Sequence, residues 1–219
     1  MKLRIKQGQH LYVTSDTHYH HKNICRSTTS WTNAEKVTRD FPSLNAMDDF
    51  IVNSINGRVG KDDILLHLGD WSFGGFEYIK EFSDRIECNE IHLFLGNHDH
   101  HIARNKDDSK RLFTSVNTYA DIEIEFEDAM RNKLFGKPKF TAFHYPIASW
   151  NGMNRGVIQL HGHVHLHADN KLAAGKAIDV GCDGNNMTPY SIQEILSLMD
   201  KRPIKALSLP KDHHETDIR

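Results

Sequence analysis

The chain has 219 residues, 26% of them charged, and a net charge of -2 with neutral histidines. This length fits one domain, and the balanced charge argues against the extended basic surface of a non-specific nucleic-acid binder. Three widely spaced cysteines, none in a Cys-x-x-Cys pair, argue against a disulfide framework or a structural zinc knuckle and fit a reducing compartment. No segment has the roughly 18 consecutive apolar residues of a membrane span, and residues 1–9 (MKLRIKQGQ) have no apolar stretch long enough for a signal peptide. We therefore expect a soluble, cytoplasmic protein.

Short apolar runs recur along the chain, and each is followed at once by Gly, Asp, Asn or His. Runs of four to six apolar or β-branched residues that end in this way are typical of buried strands. The predicted strands are residues 10–15, 64–68, 91–95, 140–143, 157–160 and 177–180. Polar side chains therefore gather at strand ends, where ligand sites of open α/β sheets form.

Helical patterns lie between and after these strands. In residues 43–57 apolar side chains recur at spacings of three and four, with Ser43 as a candidate N-cap and Gly57 as a stop. Residues 75–86 have a shorter and weaker pattern. Residues 191–199 begin with a Ser and a Glu in the spacing of a capping box. The sequence thus predicts three helices that alternate with strands.

One segment has the pattern of an antiparallel strand. Residues 119–127 strictly alternate apolar and polar side chains, which indicates a strand half open to water. Together with residues 139–143, across a turn that contains Gly136, it predicts a hairpin. After a single domain of residues 1–200, the polar segment 201–219 is expected to form a loosely ordered tail.

Histidine is unusually frequent, at 16 residues, and many histidines lie in the polar groups that follow the strands. Taken singly, these groups are ambiguous, because Asp-x-His occurs by chance and Gly-Asp is more often a turn than a site. In chain order they are Asp16-x-His18, Gly69-Asp70, Gly96-Asn97-His98-Asp99, His144 and Gly162-His163-x-His165. Their order, with each group at the end of a predicted strand, indicates one shared site.

This ordered set resembles the calcineurin-like metallophosphoesterase family, over roughly residues 10–200. The stretch SDTHYHHKNI at 15–24, together with the size of the chain, is similar to the small stand-alone phosphoesterases of bacteria and phages. The resemblance implies an α/β fold in which two mixed β-sheets pack face to face and are flanked by helices, a four-layer αββα sandwich with the metals at strand ends.

The resemblance also implies two divalent transition-metal ions. One would be held by Asp16, His18, Asp70 and His165, and the other by Asp70, Asn97, His144 and His163, with Asp70 bridging. Manganese is the favoured metal, with iron, zinc or nickel as alternatives, because these ions suit imidazole and carboxylate ligands. Two such ions about 3.5 to 4 Å apart can clamp the attacking and leaving oxygens of a displacement at phosphorus.

Two further residues receive roles from the family pattern. His98 would protonate or stabilise the leaving-group oxygen, and Asp99 would accept a hydrogen bond from His98 and fix its orientation. The nucleophile would be a hydroxide that bridges the metals, so no covalent phosphoenzyme is expected. The implied activity is metal-dependent hydrolysis of a phosphodiester or a phosphomonoester, with nucleotide derivatives among the candidate substrates.

Departures from the family restrict this activity. Protein serine/threonine phosphatases of the superfamily carry an Arg in the second motif, whereas residues 69–75 here read GDWSFGG. The third motif ends in Asp99 rather than Glu. A protein phosphatase is therefore not expected.

Several polar residues lie outside the ligand pattern. His21 and Asn23 are candidates for contact with a phosphate oxygen, without a preference for or against. His67 is expected to be a hydrogen-bonded core histidine. His100, His101 and the basic segment 102–117 are favoured as solvated loop, with lining of the substrate entrance as the alternative.

Two other classes of function stay open. A nuclease acting on polymeric nucleic acid would need a basic groove with aromatic stacking positions, and the sequence offers only the short basic segment after Ile102. A catalytically silent metal-binding scaffold would lack ligands or His98, and none of these residues is missing.

Overall fold

The computed structural model describes residues 1–166 and 175–204. Its strands are β1 (Lys2–Ile5), β2 (Leu11–Thr14), β3 (Ile64–His67), β4 (Glu90–Phe94), β5 (Ser115–Asn117), β6 (Tyr119–Phe126), β7 (Lys139–Phe143), β8 (Ile158–His161), β9 (Ala177–Asp179) and β10 (Tyr190–Ser191). Its α-helices are α1 (Ala34–Val37), α2 (Leu44–Asn56), α3 (Phe76–Arg85), α4 (His100–Arg104), α5 (Lys106–Leu112), α6 (Ala129–Phe135) and α7 (Ile192–Asp200). Every predicted strand and helix is present. Of the predicted tail, 201–219, only residues 201–204 are among those described.

The strands form two five-stranded sheets, and both sheets are mixed. The first has the order β1-β6-β7-β8-β9, with β6 and β7 antiparallel and the other neighbours parallel. The second has the order β10-β2-β3-β4-β5, in which only β10 runs antiparallel to its neighbour. The expected fold of two mixed β-sheets flanked by helices is confirmed.

The main hydrophobic core lies between the two sheets. Ile64 and Leu66 of β3 belong to the same buried cluster as Ile124 of β6 and Leu160 of β8. Alternate side chains of a strand point to opposite faces of its sheet, and Leu65 accordingly joins a second cluster on the other face. Both faces of β3 are buried, which accounts for the three consecutive apolar residues with which it begins.

Helices α2 and α3 cover the outer face of the second sheet. Met47 and Ile51 of α2 and Phe82 of α3 pack in the cluster that contains Leu65. Helix α2 begins as predicted, because the Ser43 side chain accepts a hydrogen bond from the Ala46 backbone N–H at 3.1 Å. The predicted capping box is present at the start of α7.

The connection between β6 and β7 differs from the expected hairpin turn. The two strands pair antiparallel as predicted, but helix α6 lies between them. The Asp128 side chain caps α6 by accepting a hydrogen bond from the Arg131 N–H at 2.7 Å. Gly136 ends the helix with a φ of 65°, a value that suits glycine.

Segment 102–117 is not the solvated loop that the sequence favoured. It contains the end of α4, all of α5 and the edge strand β5. Ile102 and Phe113 are buried in the cluster against the second sheet, while Lys110 pairs with Asp107 on the exposed side. Its many charges therefore belong to the outer face of a packed segment.

Cys25, Cys88 and Cys182 are all buried, and none forms a disulfide. Within residues 1–166 and 175–204, no helix combines the length and the apolar character needed to cross a bilayer.

Candidate metal centre

The polar groups after six strands meet at one edge of the sandwich. Strands β2, β3 and β4 run parallel in one sheet, and β7, β8 and β9 run parallel in the other. The sheets are joined at this edge, where Ser15 and Gly181 form a parallel bridge and the Cys182 N–H donates to the Ser15 carbonyl at 3.0 Å. Loops that are far apart in sequence can therefore contribute to one site.

The first candidate ligand group consists of Asp16, His18 and His165. Their ligand atoms all lie within 4.8 Å of one another. The Nε2 atoms of His18 and His165 are 3.3 Å apart, and their rings are stacked at 5.2 Å. The Asp70 carboxylate is also near, with its Oδ2 3.7 Å from His18 Nε2. Two imidazole nitrogens and two carboxylates thus converge on one small volume.

The second candidate group consists of Asp70, His144 and His163, whose ligand atoms also lie within 4.8 Å of one another. His144 Nε2 is 3.5 Å from Asp70 Oδ2 and 3.1 Å from Asn97 Oδ1. His163 Nδ1 is 2.9 Å from the same Asn97 oxygen. Asp70 Oδ2 therefore faces nitrogens of both groups, as a bridging carboxylate must.

The backbone around these side chains is strained. Non-glycine residues rarely adopt a positive φ, and each instance costs about 1–3 kcal/mol. Five of the seven sequence-predicted ligands do so: Asp16 (57°), His18 (49°), Asp70 (55°), His163 (73°) and His165 (53°). Strain of this kind concentrates at functional sites, so its location supports a site in these loops.

Two glycines allow the loops to approach the carboxylates. A Cβ at Gly96 would lie 2.3 Å from Asp70 Oδ1, and a Cβ at Gly162 would lie 2.2 Å from Asp16 Oδ2. In place of a Cβ, backbone N–H groups of the same loops approach the carboxylates and donate hydrogen bonds to them. The His98 N–H donates to Asp70 Oδ1 at 2.8 Å, and the His163 N–H donates to Asp16 Oδ2 at 3.0 Å. The lack of a side chain at these glycines therefore lets the loops come close enough for backbone N–H groups to bind both carboxylates.

The electrostatics of the cluster fit bound cations. Burial raises the pKa of Asp16 to about 6 and lowers the pKa of His18 well below its usual range. Without a cation, burial thus disfavours the charged form of each side chain. The buried Nδ1 of His18 has no hydrogen-bond partner among the described residues. The donors converge from a buried floor, formed by Asp16, His18, Asp70 and His144, to the exposed Asn97 and His163. A convergent set of imidazole nitrogens, carboxylates and one amide oxygen suits divalent transition metals.

Residues behind the ligands fix their orientation. His144 Nδ1 lies 2.7 Å from the Leu68 carbonyl, to which it donates, and this leaves Nε2 as the acceptor that faces the site. His165 Nδ1 lies 2.6 Å from Asp183 Oδ2, with the same consequence. Such partners hold histidine ligands in the correct tautomer and ring position.

Arg39 in turn holds Asp183 in place. Its Nε and Nη2 atoms donate to the two Asp183 oxygens at 2.8 and 2.7 Å, and its remaining N–H groups reach the carbonyls of Asp16 and Thr17 at 2.6 and 2.7 Å. Burial alone would raise the pKa of Asp183, but the Arg39 guanidinium holds it well below its usual range. Sequence reasoning missed both residues. Asp183 follows the predicted strand 177–180, which was a usable signal, whereas nothing in the sequence marks Arg39.

The structure corrects the expected role of Asp99. Its Oδ2 accepts the N–H groups of Asp70 and Gly96, both at 2.8 Å, and its Oδ1 accepts the Trp71 N–H at 3.0 Å. Within the described part of the chain, no hydrogen bond joins His98 to Asp99, because both carboxylate oxygens face backbone groups. Asp99 therefore ties the loop after β3 to the loop after β4.

His98 itself lies at the site. Its half-buried ring has its centroid 5.4 Å from that of His18 and 5.3 Å from that of Phe73. The surrounding rings, together with the backbone bond to Asp70, define its position. His98 is therefore next to the first ligand group without belonging to either group.

Other polar residues singled out from the sequence have structural partners. His67 is a hydrogen-bonded core histidine as expected, since its Nε2 lies 2.9 Å from Thr17 Oγ1. Asn23 directs its side-chain oxygen to the N–H and hydroxyl of Ser30, both at 3.1 Å. His21 is buried beside His18, with ring centroids 5.5 Å apart.

His100 and His101 were favoured as residues of a solvated loop. His100 is exposed and His101 is half-buried, but both belong to helix α4. The interpretation as solvent-facing residues therefore fits His100, whereas the expected loop conformation is wrong for both.

The chain is similar to known proteins over most of its length. The model of a family described as calcineurin-like phosphoesterase matches residues 10–179. The uncharacterized protein MJ1445 of Methanocaldococcus jannaschii is 25% identical over 197 residues, which cover 87% of this chain and 92% of the archaeal protein. The crystal structure of the protein of unknown function AQ665 from Aquifex aeolicus is similar with a TM-score of 0.61 and 22% identity, over 87% of this chain and 100% of the other. That structural likeness concerns the fold alone.

Proposed function

The chain belongs to the calcineurin-like phosphoesterase family, and on this premise we propose that it hydrolyses phosphate esters with a dinuclear metal centre. One observation carries the proposal. Asp70 Oδ2 lies 3.7 Å from His18 Nε2 and 3.5 Å from His144 Nε2, so a single carboxylate serves both ligand groups. A carboxylate in this position can hold two cations close together and offset part of their charge.

The assignment of ligands follows the two groups. One ion would be held by Asp16, His18, Asp70 and His165, and the other by Asp70, Asn97, His144 and His163; the proximity of these side chains supports the assignment. Manganese is the favoured metal, with iron, zinc and nickel as alternatives. Two divalent ions bound here supply positive charge at the phosphate and lower the pKa of the attacking water.

The protein's own residues then orient the reaction. His98 is the proton donor to the leaving-group oxygen in this proposal, since it is half-buried beside the first ligand group and ligates neither ion. Asp99 contributes indirectly by joining the loops that carry Asp70 and His98. His165 and His144 are kept in the ligand tautomer by Asp183 and Leu68.

The substrate is a phosphodiester or a phosphomonoester, with nucleotide-derived esters as the leading candidates. The deciding experiment follows hydrolysis of bis(p-nitrophenyl) phosphate and p-nitrophenyl phosphate by the purified protein. The protein is first stripped with a chelator and then reconstituted separately with Mn, Ni, Fe or Zn. We expect metal-restored turnover, and a preference for the first ester would identify a diesterase. Two ions bound per chain without turnover of either ester would contradict the proposal.

The variant Asp70→Asn tests whether this carboxylate bridges the two ions. This variant keeps the size of the side chain but removes the bridging charge, so both ions should be lost together with turnover. Full retention of both ions in the variant would mean that Asp70 does not bridge them.

A further inference from the structure

Three aromatic side chains form a contiguous cluster beside the metal centre. His21 stacks on Phe73 with ring centroids 3.8 Å apart, and its ring meets that of Trp31 edge-on at 5.9 Å. The Phe73 ring in turn is 5.3 Å from that of His98. We call Trp31, His21 and Phe73 the aromatic wall.

The outer members of this wall are exposed. Trp31 has 42% of its surface exposed and Phe73 has 38%. By contrast, Trp71, two residues before Phe73, is fully buried in the core. Single exposed aromatic side chains are common on protein surfaces, but an exposed apolar cluster next to a polar site marks a candidate binding surface. The exposure of Trp31 and Phe73 therefore needs an explanation other than packing.

A groove lies beside Trp31, the outermost residue of the wall. It has a volume of about 580 Å³ and is lined by Trp31, Lys36, Val37, Val164, His165 and Asp183, among others. It therefore runs from the exposed indole to a candidate metal ligand. The inner end of the wall reaches the site directly, because the ring centroid of Phe73 is 5.3 Å from that of His98 and the centroid of His21 is 5.5 Å from that of His18. A ligand whose phosphate lies on the metals can therefore contact the wall with its organic group.

The segment that carries Trp31 has defined anchors. The Asn23 side chain accepts two hydrogen bonds from Ser30, the residue before Trp31. In the same segment, the backbone of Cys25 forms a parallel β-bridge with that of Arg39. The Arg39 guanidinium in turn donates a hydrogen bond to the carbonyl of Asp16. The indole is thus held on a segment that is fixed to the metal loops.

We propose that the aromatic wall binds an aromatic organic group of the substrate, a nucleobase foremost, and makes the site selective for nucleotide-like phosphate esters. The inference rests on the proposed function and names its substrate class. The faces of exposed rings stack on any base, and one such contact contributes roughly a fivefold to 150-fold gain in affinity. The metals hold the phosphate, while the wall distinguishes its organic group.

The test compares two ligands that differ only in the base. They are the phosphonate analogues of adenosine 5′-monophosphate and of ribose 5-phosphate, which resist hydrolysis. Calorimetric titration of the Mn²⁺-loaded protein gives both affinities. The wild type is expected to bind the adenosine ligand at least tenfold more tightly. In Phe73→Leu and Trp31→Leu this advantage should shrink about fivefold or more, while Trp31→Phe should retain much of it.

The matched control is Phe50→Leu, which removes a ring that is 47% exposed on helix α2. It should keep the full preference for the adenosine ligand. Equal affinities of the wild type for the two ligands, no binding of either, or an unchanged preference in both wall variants would overturn the inference. The parallel assay of aryl ester turnover keeps the two ideas apart, because turnover without base preference contradicts only the aromatic wall.

Discussion

Asp183 accepts a hydrogen bond from Nδ1 of His165 at 2.6 Å, and this bond leaves the Nε2 of that imidazole to face Asp16 and His18. Asp183 is itself held by two bonds from the buried Arg39. Arg39 and the His165 loop are more than a hundred residues apart in the chain. The pair therefore couples the geometry of the first ligand group to the segment that carries Trp31.

The variant Asp183→Asn tests this coupling. It removes the charge that balances Arg39 and weakens the hold on the His165 tautomer, so we expect roughly ten- to a hundredfold weaker metal binding at the first group. Competition with a chelator measures both affinities, and the second group should change little. As a control, Asp84→Asn alters an exposed carboxylate that forms an ion pair with Lys80 on the surface of α3. Equal metal affinity in Asp183→Asn and the wild type would disprove the positioning role.

His98→Ala tests the proton donor. His98 belongs to neither ligand group, so metal content should stay at the wild-type level while turnover falls roughly a hundred- to ten-thousandfold for esters with poor leaving groups. Esters of acidic phenols should lose less, because their leaving oxygens need little protonation. A series of aryl esters of graded leaving-group pKa measures this dependence. The same fractional loss for every ester would contradict the assignment.

Asp99→Asn distinguishes a loop anchor from a partner of His98. The carboxylate accepts three backbone N–H groups, and an amide would place its NH₂ group against at least one of these donors. We expect a loss of roughly 1–3 kcal/mol in the free energy of unfolding, measured by urea denaturation of the metal-free protein. A variant of unchanged stability whose only defect is slower turnover would restore the partner role.

His67 provides a prediction on pH. Burial lowers its pKa to about 3, well below the value of about 6.5 in an unfolded chain. As the pH falls below 6.5, the unfolded state therefore binds a proton that the folded state does not, and stability declines by up to roughly 1.4 kcal/mol per pH unit. His67→Gln should flatten this decline between pH 6.5 and 4 in denaturation curves. His100→Gln, on the exposed side of α4, should change this slope far less than His67→Gln, because the His100 side chain is open to solvent. A His67→Gln slope equal to the wild type would contradict the prediction.

The elements of this fold were predictable where one physical pattern dominates. Strands β3 (ILLH) and β8 (IQLH) were predictable because all four positions of each are buried, so apolar residues dominate the short runs that end at polar groups. The five-residue α4 and the highly charged α5 were missed, because neither has a long apolar period and both depend on packing of Ile102 and Phe113. The division into two sheets came from the family resemblance, since pairing partners cannot be read from strand patterns alone.

The site likewise has features that the sequence predicts and features that it does not. Asp70 and His163 were identifiable because they follow strand ends in a recognisable order. Their left-handed backbone and the three backbone partners of Asp99 were not, because these features depend on how separate loops meet. The role of Arg39 could not be predicted for the same reason, because it depends on contacts with Asp183 and Asp16. Local sequence specifies which groups carry the chemistry, whereas tertiary contacts decide what holds them.

The central claim is that one carboxylate bridges two metal ions, and anomalous diffraction from a crystal grown with Mn²⁺ tests it most directly. We predict two anomalous peaks about 3.5 to 4 Å apart with the Asp70 carboxylate between them. One peak should be flanked by His18 and His165, and the other by His144 and His163. A single peak, or two peaks that Asp70 does not touch, would contradict the account.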